Sequence, residues 1–267
     1  MPYSTSNGVK IYYETAGEGP ALVLIHSNPF DHSLWIYQSA HFSTWFRVIN
    51  VDIRGYGRSE NVTTPFTAAD MCDDVLAVMD DEGIDQAVVC GNSIGSRLAL
   101  MFGLDHADRF SGLIVVGGNS GISGKHTHRV EGYTNRLEAF RDEYLRECLS
   151  PDFPDSPMGK YLLNIVTERN PWHSSEALVQ TIMGGNTTAD VTDRLGEIKL
   201  PTLVINGEFD SAMEGGKLTA SLIPGAVHKV LPGTGHACPI EDPAGFDALV
   251  VDFLNANGLM PSLSDID

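Results

Sequence analysis

Positive charge is what this sequence has least of. Its 267 residues carry 17 Lys and Arg against 35 Asp and Glu, a formal net charge of −18 at neutral pH. Nucleic-acid binding requires basic patches that neutralise phosphates, and anionic membrane surfaces recruit the same patches, so neither partner is expected. The acidity reads instead as a solvated surface. Long apolar runs are missing too: none approaches the roughly 20 residues that a membrane helix needs. Residues Met1 to Gly8 show neither the basic stretch nor the apolar stretch of a secretion signal. Cysteine is sparse, and Cys72, Cys90, Cys148 and Cys238 have no C-x-x-C spacing. They read as free thiols in a reducing compartment rather than as a disulfide frame or a zinc site. No H-E-x-x-H or comparable ligand spacing appears, so no metal is expected. These absences leave a soluble, cytoplasmic globular protein as the expectation.

What is present is a repeating rhythm. Val9-Lys10-Ile11-Tyr12-Tyr13-Glu14 alternates after Asn7-Gly8, which predicts an N-terminal hairpin. Ala21–Ile25 is a continuous apolar run, as expected of a strand buried on both faces of a parallel sheet, and Arg47–Asp52, Val88–Gly91, Leu113–Val116, Thr202–Asn206 and Val227–Leu231 are further short strand-like runs. Helical spacing falls between them, over Thr67–Glu82 with Gly83 closing it, over Arg97–Phe102, near Met213–Leu222, and over Pro243–Asn255. Alternation of this kind predicts an α/β fold with a mostly parallel central sheet covered by helices on both faces. From about Asn119 to Ile198 the β-branched runs stop, and helical segments are punctuated by Pro151, Pro154, Pro157 and Pro171. Residues 119–198 are therefore expected to form a helical cap inserted into a core made of residues 1–118 and 199–267. The tail from Ser262 to Asp267 is expected to fray.

In parallel sheets ligands bind beyond the carboxyl ends of the strands, so reactive residues should stand just after the strand-like runs. They do. Gly91-Asn92-Ser93-Ile94-Gly95 fits G-x-S-x-G between a strand and a helix. Glycines flank the serine because the turn is sharp and bulky neighbours would block it. Asp210 follows the strand-like run 202–206, and His236 follows the run 227–231 in Pro232-Gly233-Thr234-Gly235-His236. A serine hydroxyl needs a neighbouring base to take its proton. An imidazole can do this near neutral pH, and a carboxylate can hold the ring in the right tautomer. Ser93, Asp210 and His236 are thus the candidate catalytic residues, in an order different from the two main serine-protease orders. Asp210 could instead cap a helix, leaving the acid to a residue after the preceding strand such as Asn119. The oxyanion donors should be the N–H of Ile94 and one from His26-Ser27-Asn28-Pro29-Phe30; Pro29 has none to give, which leaves Asn28. His26 reads as structural, Asp52 and Arg54 as a turn-stabilising pair, and Cys238 as a buried free thiol. Phe30, His126, Trp172 and Met183 are candidate linings of a substrate pocket.

Taken together, five elements in order, His26-Ser27-Asn28-Pro29, Asp52-x-Arg54-Gly55-x-Gly57-x-Ser59, Gly91-x-Ser93-x-Gly95, Gly207-x-x-Asp210 and Gly235-His236 followed by Glu241-Asp242-Pro243, give a chain that resembles the α/β-hydrolase fold superfamily over nearly its whole length. Its texture is most similar to small lactonases and esterases related to 3-oxoadipate enol-lactonase. Ser27 stands where that family usually has glycine. Asn28-Pro29 is also similar to haloalkane dehalogenases, which use an aspartate nucleophile where this chain has Ser93. The resemblance implies a cofactor-independent serine hydrolase acting on a small-molecule ester or lactone. Two alternatives stay open: the same triad used for carbon–carbon bond hydrolysis, perhydrolysis or a lyase reaction, and a hydrolase-derived binding protein with slow or no turnover.

Overall fold

The β-branched runs do lie side by side. In the computed structural model, which describes residues 3–118, 120–121, 126–135, 143–169, 175–187 and 189–261, they form one eight-stranded sheet. The strands are β1 (Tyr3–Ser6), β2 (Val9–Ala16), β3 (Ala21–Ile25), β4 (Arg47–Val51), β5 (Ala87–Asn92), β6 (Phe110–Val116), β7 (Thr202–Gly207) and β8 (Val227–Leu231). Their order is β1-β2-β4-β3-β5-β6-β7-β8. The first two pairings are antiparallel and all the others parallel. The hairpin between β1 and β2 turns through Asn7 and Gly8, both at positive φ, the geometry that Asn-Gly adopts at low cost. Every residue of β3, β5 and β7 is buried, so their apolar runs do not alternate.

Helices close both faces. The main ones framing the sheet are α1 (Ile36–Phe42), α2 (Ala68–Asp81) and α3 (Ile94–Asp105). Three more, α4 (His126–Asn135), α5 (Pro157–Arg169) and α6 (Ser175–Thr187), lie in the segment between β6 and β7, and α7 (Met213–Leu222), α8 (Cys238–Glu241) and α9 (Pro243–Ala256) complete the fold. Helix α2 begins with a reciprocal capping box between Thr67 and Asp70, and Gly83 follows its end at positive φ. Pro157 opens α5 rather than breaking a helix, which suits a residue with no N–H to contribute. Among the described residues no strand falls between β6 and β7. Helix α6 reaches down onto the sheet end. A Cβ at Gly185 would stand 2.1 Å from Ile94 Cδ1, and Arg97 Nη1 donates to the Gly185 carbonyl at 3.3 Å. Asn119, Trp172, His173 and residues 262–267 lie outside the described residues.

One helix was not expected, and one expectation needs correction. Helix α1 has no counterpart in the periodicity reading; at seven residues it is too short to show a full helical pattern. Asp52 and Arg54 do not pair. Arg54 makes two 2.6 Å bonds to Asp74 of α2, both side chains buried, while Asp52 accepts from the His32 N–H at 2.7 Å and from His32 Nδ1 at 2.9 Å. The two side chains, two positions apart on this turn, bond to different elements, so closeness in sequence misassigned the partners.

Candidate active site

Register brings the carboxyl ends of the central strands level. Gly91 sits beside Ile25 of β3 on one side and Val115 of β6 on the other. Ser93, the first residue past β5, has φ +54° and ψ −107°. Few side-chain-bearing residues adopt that geometry, and Ser93 and Asn7 are the only non-glycine ones with positive φ among the described residues. Glycine on either side is a steric requirement: a Cβ at Gly91 would meet the Gly95 carbonyl at 2.1 Å, and one at Gly95 would meet the Ile25 carbonyl at 2.4 Å. The Ser93 N–H is tied to Val116 at 2.8 Å, while its hydroxyl makes no capping bond to α3. Ile94 is the first residue of α3, where helical N–H groups have no partner within the helix and the helix dipole favours negative charge.

Asp210 and His236 meet, as their positions after β7 and β8 suggested. His236 Nδ1 lies 2.8 Å from Asp210 Oδ1. The carboxylate is buried, and burial pushes its pKa up. The charge and hydrogen bond of His236, the Ala212 N–H at 2.8 Å and Asn206 Nδ2 at 2.8 Å more than offset that, leaving it lowered to about 2. An ionised carboxylate only accepts, so Nδ1 of the ring carries the proton and Nε2 is the basic nitrogen. Nε2 makes no hydrogen bond among the described residues. Asp210 is not a helix cap, since α7 starts after Ala212.

The loop holding His236 is bound to the elbow. Asn92 Nδ2 donates to the carbonyls of His236 and Val116, both at 3.1 Å, and Gly117 makes room for the ring. The half-buried Glu241 accepts from Gly235 N at 2.8 Å and Ser150 N at 2.9 Å, and Ala237 N donates to the Cys148 carbonyl at 2.8 Å. The segment between β6 and β7 is thereby fastened to the histidine loop.

His26 to Phe30 follow β3, and Gly95 packs against the start of this loop. His26 is fully buried, donates from Nδ1 to the Ser27 carbonyl at 3.0 Å and accepts the Ile53 N–H on Nε2 at 3.0 Å. Burial lowers its pKa and keeps it neutral, as those two bonds require. Ser27 is buried without positive φ, so this backbone does not need the glycine usual there. Tyr56 Oη donates to Asn28 Oδ1 at 2.5 Å. Of the suggested pocket residues, Phe30 is fully buried in the core and Met183 of α6 is 38% exposed. His126 opens α4, and Trp172 lies outside the described residues. All four cysteines are buried and free; burial raises the Cys238 thiol well above its usual range. Among the described residues no cluster of His, Cys, Asp and Glu could hold a metal ion, and no helix is long and apolar enough to cross a membrane.

Four residues around this site carry no assigned role in the sequence reading: Asn92, Tyr56, Asn206 and Glu241. Asn92, Tyr56 and Asn206 each stand next to a motif residue, and Glu241 belongs to the motif that follows His236, which is the only signal that could have drawn attention to their roles.

A family model for the α/β hydrolase fold matches residues 20–243. The chain belongs to the α/β hydrolase family. It is 30% identical over 268 residues to 2-hydroxy-6-oxo-6-phenylhexa-2,4-dienoate hydrolase of Burkholderia cepacia, covering 93% of this chain and 92% of that protein. Among solved structures, the enol-lactonase of Burkholderia xenovorans LB400 superposes with a TM-score of 0.89 at 29% identity, over 95% of this chain and all of that one. Est816, an N-acyl homoserine lactone degrading enzyme, gives 0.84 at 29% identity, over 94% of this hydrolase and all of Est816. The resemblance to enol-lactonases read from the texture of the sequence is thus matched by a structural neighbour.

Proposed function

We propose that this α/β hydrolase cleaves an ester or lactone bond of a small molecule through an acyl-enzyme, without a cofactor. The observation that carries the reading is the His236–Asp210 bond, which leaves Nε2 as the open base, on a loop tied to the strained turn of Ser93. Nε2 takes the hydroxyl proton as Ser93 Oγ attacks the carbonyl carbon. The N–H groups of Ile94 and Asn28 receive the resulting oxyanion. Collapse expels the alcohol, which takes its proton from His236; in a lactone it stays attached to the acyl group. Water, deprotonated by His236, then adds to the acyl-enzyme, and Ser93 leaves with the proton back on its oxygen. The segment between β6 and β7 serves as the cap over this site, with α6 resting on Ile94 and Met183 of α6 beside the substrate.

Relatives favour a second reading. The Burkholderia cepacia protein is named for a substrate with no ester or amide bond, so its hydrolysis breaks a carbon–carbon bond. The same serine and imidazole would serve that reaction here. A panel of 4-nitrophenyl esters, lactones of increasing ring size and vinylogous 1,5-diketones separates the two. Ester or lactone turnover that falls by about a thousandfold or more in Ser93→Ala is the expected result. Turnover of the diketones alone would replace the first reading with the second. Near-normal activity of Ser93→Ala would end both.

A further inference from the structure

Asp210 has two carboxylate oxygens, and only one faces His236. The other is the inner end of a line of hydrogen bonds that runs to the edge of the sheet. Asp210 Oδ2 accepts from Asn206 Nδ2 at 2.8 Å, and Asn206 Oδ1 lies 3.0 Å from His228 Nε2. Asn206 is near the end of β7 and fully buried; His228 is on the edge strand β8 and partly exposed. Space for the amide is built in: a Cβ on Gly216 of α7 would stand 2.0 Å from Asn206 Oδ1.

Elementary donor and acceptor counting fixes the direction of this line. Asp210 is ionised and can only accept, so Asn206 must turn its NH2 group toward it. The amide oxygen then faces His228 and needs a donor, so Nε2 of His228 carries a proton. Lys217 and Glu214 of α7 are the charged groups that act on His228; burial first and Lys217 second lower its pKa against the pull of Glu214, so the ring is neutral with its proton on Nε2. Without a donor at position 228 the amide is free to rotate, and its oxygen would then repel the carboxylate.

We propose that His228 and Asn206 are positioning residues for the triad: His228 fixes the Asn206 amide so that it donates to Asp210 Oδ2 and leaves Oδ1 aimed at His236. The proposal rests on the Ser93–Asp210–His236 reading above. Neither residue touches substrate, so their loss lowers the rate of serine attack and leaves substrate affinity nearly unchanged.

The test compares His228→Phe, which removes the donor, with His228→Gln, whose side-chain amide restores one, in the full chain. The readouts are the rate of Ser93 labelling by a fluorophosphonate probe, kcat and KM on an ester the wild type hydrolyses, and the low-field proton resonance of His236 Nδ1–H. His228→Phe is expected to slow labelling and kcat by about 5- to 50-fold at similar KM, since the Asn206 amide loses the donor that holds it in place to bond the Asp210 carboxylate. The low-field resonance should broaden or move upfield. His228→Gln should recover most of the rate and the resonance. Wild-type labelling and resonance in a folded His228→Phe protein would overturn the proposal, as would a folded His228→Gln protein as slow as His228→Phe. A wild-type protein that does not label at Ser93 would instead mark failure of the triad reading beneath it.

Discussion

The two halves of the proposed oxyanion hole are held by different physics. Ile94 is placed by backbone contact, because Gly91 and Gly95 let the elbow close to distances that no side chain would permit. Asn28 is placed by side chains from elsewhere in the chain. Asp52 accepts from both the backbone and the ring of His32 and from the Arg58 N–H, His26 accepts from Ile53, and Tyr56 binds the Asn28 amide. The elbow is thus a compact solution specified by a five-residue motif that closes on itself and against β3. The loop is a distributed one that spans about thirty. Local solutions fail completely when one atom is added; distributed ones fail in portions, and the predictions below separate the two.

The largest effect is expected at Gly95. Gly95→Ala places a methyl group 2.4 Å from the Ile25 carbonyl oxygen, and backbone on both sides prevents relief. A loss beyond about 4 kcal/mol is expected, since overpacking here displaces both β3 and the helix start. Soluble protein yield and thermal unfolding check this. A stable, fully active Gly95→Ala would mean that the elbow is far looser than its contacts.

That contrast also explains what the sequence could and could not disclose. Ser93, Asp210 and His236 could be singled out as candidates because each follows the carboxyl end of a strand, where parallel sheets bind their ligands, and because glycine marks the sharp turn. The sheet itself was legible from its β-branched runs. The partners of Arg54 were not, because an ion pair to Asp74 crosses from a turn to a helix, and no local pattern encodes it. Asn206 and His228 were equally hidden; they meet only because β7 and β8 lie side by side in register. The described helices between β6 and β7 were readable as helices and unreadable as a pocket, since apolar residues that pack a cap and those that touch substrate look alike in one dimension.

Asp52 should give the next largest effect. Its carboxylate is fully buried and accepts three bonds, so Asp52→Asn leaves the His32 ring without its charge partner. Breaking such a buried pair costs about 3–5 kcal/mol. Burial opposes the charge on His32, but Asp52 outweighs it and raises the His32 pKa; burial likewise opposes ionisation of Asp52, and His32 outweighs it and lowers the carboxylate. The sign follows for each group. The histidine contribution is complete below the ordinary value near pH 6.5 and is lost as pH rises through the raised folded value. The carboxylate contribution is complete above its ordinary range and is lost as pH falls through its lowered value. The gap in thermal midpoint between wild type and Asp52→Asn should therefore be widest in mildly acidic solution and narrow toward alkaline pH. A gap that widens on going from about pH 6 to about pH 9 would contradict the ion pair.

The smallest effect belongs to Tyr56, and it is the one that tests whether the distributed half of the hole matters to chemistry at all. Tyr56 is buried, and its hydroxyl donates to Asn28 Oδ1 while its ring packs edge-on to His26 at 5.4 Å. Tyr56→Phe keeps the ring and removes only the donor, so the core stays filled. A single lost donor bond is expected to lower kcat on an ester or lactone substrate by about 3- to 10-fold, with KM and the thermal midpoint moving little. The direction of the split is the informative part. An oxyanion donor held less firmly weakens the transition state more than the ground state, so kcat should carry the loss. If stability drops while kcat holds, the Tyr56–Asn28 bond serves the loop as scaffold, and the side-chain hydrogen bonds around Asn28 shape the fold without tuning the reaction.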